Sequence, residues 1–188
     1  MPTVFTHPAL PLAVGLGLGR ASISSRLLLA GVAASILPDL DVVSLRLGVS
    51  YSSAFGHRGL THSFAFALSV ALVGAICHRW LHARSSSAFL FLLAATASHG
   101  VLDAFTNGGL GIAFLWPFSS ERYFAPFHVI EVSPLSISRL LSARGASVLW
   151  SEILWVWVPC LFLGGALAAG RLICGAKAAS CGKPERAG

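Results

Sequence analysis

The chain has 188 residues and a net charge of +6; 55% of its residues are hydrophobic and only 11% are charged. A soluble domain carries about 25% charged residues, so a mean hydropathy of +0.78 excludes an ordinary water-covered globule and points to a lipid-embedded protein of one domain. The basic residues are isolated arginines beside apolar runs, with no Lys/Arg cluster interleaved with aromatics; this argues against nucleic-acid binding and for a role in setting membrane topology.

Residues 1–9 contain no Lys or Arg, so the start of the chain does not read as a secretory signal peptide. Five apolar segments follow. Residues 8–19 are short and Gly-rich, and read as a tilted, re-entrant or partly inserted segment. Residues 27–43 end in Pro38-Asp39-Leu40-Asp41, residues 63–81 and 88–105 come next, and residues 148–173 open with Trp150, Trp155 and Trp157. A spanning helix needs about 20 apolar residues, which the later segments meet. Residues 107–147, with Pro117, Pro126 and Pro134, read as irregular apart from an interfacial helix at 136–143. The expectation is an all-α, polytopic membrane helical bundle of four to five transmembrane segments over residues 1–173, with a flexible cytoplasmic tail over 174–188. Cys77, Cys160, Cys174 and Cys181 lack CxxC spacing and are expected to be buried thiols rather than a zinc knuckle.

If all five segments cross, one face receives Arg20, Arg26, Arg79, Arg84 and the basic residues of the C-terminal tail. The other receives Arg46, Arg58, Arg122, Arg139 and Arg144 with six of the seven acids. The positive-inside rule then puts the first face in the cytoplasm, with the N-terminus outside and the C-terminus inside. Hydropathy and basic residues alone thus place His7, His57, His62, His99, His128, Asp39, Asp41 and Asp103 together on the outer face.

Among these, His99 and Asp103 stand four apart, on one face of a helix, at the end of a spanning segment where ionisable residues are costly. An ion pair stapling the bundle is the plain alternative to metal ligation. His57-Arg58-Gly59-Leu60-Thr61-His62-Ser63 precedes the third segment; Thr61 or Ser63 can cap its helix, and Arg58 can fork onto an anionic oxygen. Pro38 should kink or stop the second helix. Asp39 and Asp41, at its dipole-negative end, then call for a nearby cation. His128 and Glu131 rank low, and Glu152 reads as a supporting acid or an interface residue. Imidazole with carboxylate suits zinc, and also manganese or iron. His7, Asp39, His62, His99 and Asp103 exceed the three ligands of a single catalytic zinc, which leaves room for one or two ions.

Thr6-His7, Pro38-Asp39-Leu40-Asp41, the His57–Ser63 element, Ser98-His99-Gly100-Val101-Leu102-Asp103 and Leu115-Trp116-Pro117-Phe118 together resemble the YdjM-type bacterial inner-membrane proteins. These are described as membrane-bound metal-dependent hydrolases and are distantly similar to zinc-dependent phospholipase C and the P1-type nucleases. The resemblance covers about residues 1–126. It implies a phospholipase C/P1 nuclease-like helical core and zinc at His7, Asp39, His62, His99 and Asp103. The HxxxE pair that completes a trinuclear site in those enzymes has no counterpart, since His128 and Glu131 are three apart.

The expected function is therefore a metal-dependent hydrolase in the bacterial inner membrane, acting on a phosphoester, including a lipid one, at the periplasmic face. Asp41 or His57 would be base or further ligand, and Arg58 would hold phosphate. The alternative is a non-catalytic membrane protein with a structural metal or ion-pair cluster, docking a protein partner through its tail. An ion transporter fits less well, because the acids lie at one face rather than at the midplane.

Overall fold

A computed structural model of the chain describes residues 1–134 and 136–181. Its regular elements are helices, α1 (Ala9–Leu18), α2 (Ser25–Ile36), α3 (Val42–Arg46), α4 (Phe64–Ile76), α5 (Ser85–Ala104), α6 (Ile137–Leu140), α7 (Ala143–Glu152) and α8 (Val158–Cys181). Among the described residues the β-structure amounts to two isolated bridges, Thr106 with Ile130 and Ile112 with Tyr123, in the long α5–α6 connection.

Three stretches are long and apolar enough to cross a membrane: Ser25–Arg46, Ser85–Ala104 and Ala143–Ala176. α1 and α4, with 10 and 13 residues, are shorter. The third segment, expected to run to residue 81, leaves α-geometry after Ile76 and closes in an ordered turn through His78 and Arg79, whose polar side chains gain nothing from a lipid surround. Both short helices nevertheless run between the same two poles as the long ones. His7, Asp39, His62 and Asp103 gather at one pole, while Arg20, Ser24, His78 and Arg84 line one cavity at the other. α5, at about 1.5 Å per residue, sets their separation at about 30 Å.

The core lies between α2 and α5 and the α4–α5 turn, where Ile23, Leu27, Ala34, Leu81, Ala88, Phe91 and Leu92 are buried together. α1 packs instead on α8. A Cβ at Gly17 would stand 2.8 Å from the Gly164 carbonyl oxygen, so these two backbones approach as only glycine allows. The outer side of α8 is a row of exposed Leu161, Phe162, Leu172 and Ile173, as a lipid-facing surface requires. α8 continues to Cys181, past the point where the tail was expected to begin; residues 182–188 lie outside the described residues. Of the thiols expected to be buried, Cys77 and Cys174 are exposed and Cys160 is partly buried, while the Cys181 side chain lies outside the described residues.

Candidate metal centre

α2 cannot continue through Pro38, which has no N–H and clashes with the preceding turn. The chain tightens into a 3₁₀ turn, Leu37–Asp41. At about three residues per turn, side chains two apart point in different directions. Asp39 therefore reaches one set of partners and Asp41 another. On α5, His99 and Asp103 share a face and are fully buried. His62 ends the 3₁₀ turn Leu60–His62, after which Ser63 caps α4 by accepting from the Phe66 N–H. Gly100 lets that turn lie against α5, since a Cβ there would stand 2.8 Å from the His62 carbonyl oxygen. His7, just before α1, stacks on the His99 ring with centroids 3.7 Å apart.

These elements bring five side chains to one point. The two carboxylates divide their oxygens between two positions. Asp39 Oδ2 and Asp103 Oδ1 lie 3.6 and 3.8 Å from His7 Nε2. Asp39 Oδ1 lies 3.3 Å from His99 Nε2, and Asp103 Oδ2 lies 3.4 Å from His62 Nε2. Two ligands at about 2.0–2.1 Å on a tetrahedral ion are about 3.3–3.4 Å apart. None of the four carboxylate oxygens, and neither His7 nitrogen, has a hydrogen-bond partner among the described residues, although all are buried. Leaving such atoms unmatched in a protein interior is expensive.

The imidazoles sharpen the point. His99 Nδ1 faces the Ser35 carbonyl at 2.7 Å, and His62 Nδ1 faces Asp41 Oδ2 at 3.2 Å. Both partners only accept, so both Nδ1 atoms carry the proton. The two Nε2 atoms then face each other at 3.0 Å, an approach that only a shared proton or a cation between them satisfies. Burial alone would lower the His62 pKa, but the Asp103 and Asp41 carboxylates beside it outweigh that and hold it up at about 9: the carboxylates draw positive charge to this spot. His7 is pushed down to about 3 by burial, and further by the neighbouring His99, so its ring is neutral and able to ligate. The residues present therefore fit a divalent cation, with Asp39, His62, His99 and Asp103 able to surround one ion and His7 completing a second position across the same carboxylates.

Asp41, His57 and His62 form an adjoining group whose chemistry differs. His57 Nδ1 and Asp41 Oδ1 are 2.5 Å apart, closer than two ligands of one ion can be, so this is a hydrogen bond. Asp41 Oδ2 accepts from Thr61 Oγ1 at 2.7 Å and from the Arg58 N–H at 3.1 Å, besides His62. Asp41 thus fixes the tautomer and direction of His62, as an outer carboxylate does for a histidine that binds metal.

Arg58 corrects an expectation. It was expected to reach a substrate phosphate, yet it is 1% exposed. Its Nε lies 3.2 Å from Asp103 Oδ2, and its terminal nitrogens donate to the Gly108 carbonyl at 2.6 Å and the Thr106 hydroxyl at 3.0 Å. A left-handed φ of 64° turns its amide toward Asp41 and its side chain inward. The guanidinium is spent on holding Asp103.

His128 is exposed and Glu131 accepts from Ser147 Oγ at 2.7 Å, so neither joins the cluster. Glu152 does more than the sequence suggests. It is 1% exposed and accepts from the Thr3 N–H, and from the Thr3 and Thr6 hydroxyls at 2.6 Å each, tying the His7 segment to α7. Thr61 and the Ser35 carbonyl were also missed. No spacing rule exposes partners 149 residues apart.

The whole cluster is shielded. Asp39 and Asp41, at 9% exposure each, are its most open members. A cavity of about 50 Å³, lined by Asp41, Phe55 and Thr61, is the opening beside it.

The family model described as YdjM inner membrane protein matches residues 1–174. The chain belongs to that family. It is also 49% identical over 168 residues to the Escherichia coli (strain K12) inner membrane protein YbcI, a similarity covering 89% of this chain and 97% of that protein. No solved structure matches. Every histidine and carboxylate of the cluster lies inside the family match, and the family's inner-membrane description agrees with the three spanning stretches.

Proposed function

We propose that the chain is a metal-dependent hydrolase of the bacterial inner membrane, acting on a phosphoester at the periplasmic side and keeping its C-terminus in the cytoplasm. The observation that carries this reading is the confrontation of the His62 and His99 Nε2 atoms among buried, unmatched carboxylate oxygens. Zinc is the first choice of ion for such a mixed nitrogen and oxygen set. A bound divalent cation supplies Lewis acidity, polarising a phosphoryl oxygen and making water acidic enough to attack near neutral pH.

The protein's own residues do the rest. Asp39, His62, His99 and Asp103 hold the ion, with His7 serving a second position. Asp41 orients His62 and His57. With its Nδ1 bound to Asp41, His57 keeps Nε2 without a partner among the described residues, and is the candidate to take a proton from attacking water. Arg58 positions Asp103. Phe55, 68% exposed beside the small opening, belongs to the 47–59 loop that would have to yield for a substrate to enter. The sealed state of the cluster favours one second reading: a structural metal centre in a protein whose task is docking a partner.

The test is elemental mass spectrometry on detergent-purified protein, as wild type and as a His99→Ala/Asp103→Ala double variant, followed by a phosphoester screen. One or two equivalents of metal, lost in the variant, with hydrolysis that also disappears, is the expected result. Metal lost in the variant but no hydrolysis of any phosphoester would leave the structural centre. No metal in the folded wild type, even after incubation with excess ion, would refute both.

A further inference from the structure

The pole opposite the His/Asp cluster holds a basic cavity whose arginines are exposed. A cavity of about 710 Å³ lies between the α1–α2 linker and the turn joining α4 to α5, and it is lined by Arg20, His78, Arg79, His82 and Arg84. No carboxylate lines it. Among the described residues, none of these arginines has an acidic partner within salt-bridge distance. Three like charges drawn around one space repel each other, and the positive-inside rule asks only that they lie near helix ends, not that they converge.

The helices add to the field. α2 and the 20-residue α5 both begin at this cavity, with their dipole-positive ends toward it. Ser24 caps α2, but Arg84 at the head of α5 offers no side-chain cap. The first N–H groups of α5 are left for another acceptor. The walls are fixed rather than loose. Ser24 Oγ donates to the Leu81 carbonyl, Leu81 is 3% exposed in the core, and Arg26 donates to the Trp80 carbonyl at 3.1 Å. His82 closes this turn at a left-handed φ of 51°, its N–H donating to the Arg79 carbonyl at 3.1 Å. Trp80 is 67% exposed under the Arg26 guanidinium, 5.7 Å from its ring, as befits a residue at headgroup level.

We propose that this cavity binds a phosphate group, carried either by an anionic phospholipid headgroup of the adjoining leaflet or by a free phosphoester on that side. Guanidinium forks and the uncapped start of a helix supply the same ligand chemistry to both. The site is independent of the metal cluster, which lies at the other end of the helices.

The experiment is native mass spectrometry on delipidated, detergent-purified full-length protein titrated with phosphatidylglycerol, phosphatidylcholine or inorganic phosphate. Two variants accompany the wild type: Arg79→Gln/Arg84→Gln, and Ser87→Asp. The second puts a carboxylate into the cavity's lining at the first turn of α5, where a negative charge favours the helix, so the fold survives while the cavity's positive field is weakened and the free N–H groups of α5 face a carboxylate. Circular dichroism checks that it does. The wild type should hold phosphatidylglycerol about tenfold more tightly than phosphatidylcholine, and both variants should lose about that factor. Phosphatidylglycerol binding that inorganic phosphate cannot displace assigns the site to lipid. Phosphate binding without lipid preference, again lost in Ser87→Asp, assigns it to a free phosphoester. Equal retention of both lipids with no phosphate binding, or phosphatidylglycerol binding untouched by Ser87→Asp, overturns the proposal.

Discussion

Asp41→Asn isolates what the outer carboxylate does for the metal centre. Asp41 touches no ion position itself; it accepts from His57 Nδ1 at 2.5 Å, Thr61 Oγ1 at 2.7 Å, the Arg58 N–H at 3.1 Å and His62 Nδ1 at 3.2 Å. An asparagine of the same shape can turn its one oxygen toward the three donors now on Oδ2 and its NH₂ toward His57, whose ring can change tautomer to accept. The hydrogen bonds survive in number, but the negative charge that makes His62 a better ligand is gone. Loss of such an outer partner costs about 10–100-fold in metal affinity, or about 1.4–2.7 kcal/mol. The fold should lose only about 1–2 kcal/mol, as charged hydrogen bonds become neutral ones. Chelator competition on purified protein, with thermal unfolding of the metal-free form beside it, measures the two quantities separately. Wild-type metal affinity in Asp41→Asn would refute the orienting role, and a loss as complete as that of Asp39→Asn would make Asp41 a ligand instead.

Other changes test neighbouring links. Gly100→Ala should raise helix propensity by about 1 kcal/mol, yet the new Cβ meets the His62 carbonyl oxygen at 2.8 Å; the expected net is a loss of about 1–2 kcal/mol and weakened metal binding, and a stabilised variant with full metal content would show the contact to be slack. Glu152→Ala strands the Thr3 N–H and frees the His7 segment, so unfolding measurements should show a loss of about 3 kcal/mol with metal stoichiometry falling toward the four-ligand position; an unchanged stoichiometry would remove His7 from the centre. Single cysteines at Ser53 and Ser85, on a background without the native thiols, should label from opposite sides of the membrane, and labelling of both from one side would sink the proposed topology.

What the sequence made legible follows from local rules. His99 and Asp103 were readable because a four-residue spacing on a helix needs only the helix. Asp39 and Asp41 were readable as a kinked, charged helix end because a proline forces it. Arg58 was misjudged because its direction depends on a left-handed backbone at a non-glycine residue, which no propensity announces. The third segment looked long enough to span because hydropathy counts residues and not the turn that ends α4 at Ile76. Glu152 stayed obscure for a different reason: its partners, Thr3 and Thr6, are joined to it only by the packing of the N-terminal segment on α7.

The distribution of charge over the molecule explains why one short chain carries both features. Five helices, α1, α2, α4, α5 and α8, run between the poles, and in the proposed orientation the basic residues that fix topology sit at the cytoplasmic one. The acids are thereby free to gather at the other, where Asp39 follows the end of α2, Asp103 lies in the last turn of α5 and Asp41 leads into the short α3. Negative charge at the two C-terminal ends is opposed by the helix dipoles, so the buried Asp39 and Asp103 call for cations to answer them. Arg58 answers Asp103 from one side, and a proton on His62 answers a little more. That leaves Asp39 with imidazole nitrogens at 3.3, 3.6 and 4.0 Å and no arginine or lysine in contact among the described residues. The missing counter-charge is largest where the ligand atoms converge, and this is why the centre reads as a place for a metal rather than as a staple of ion pairs.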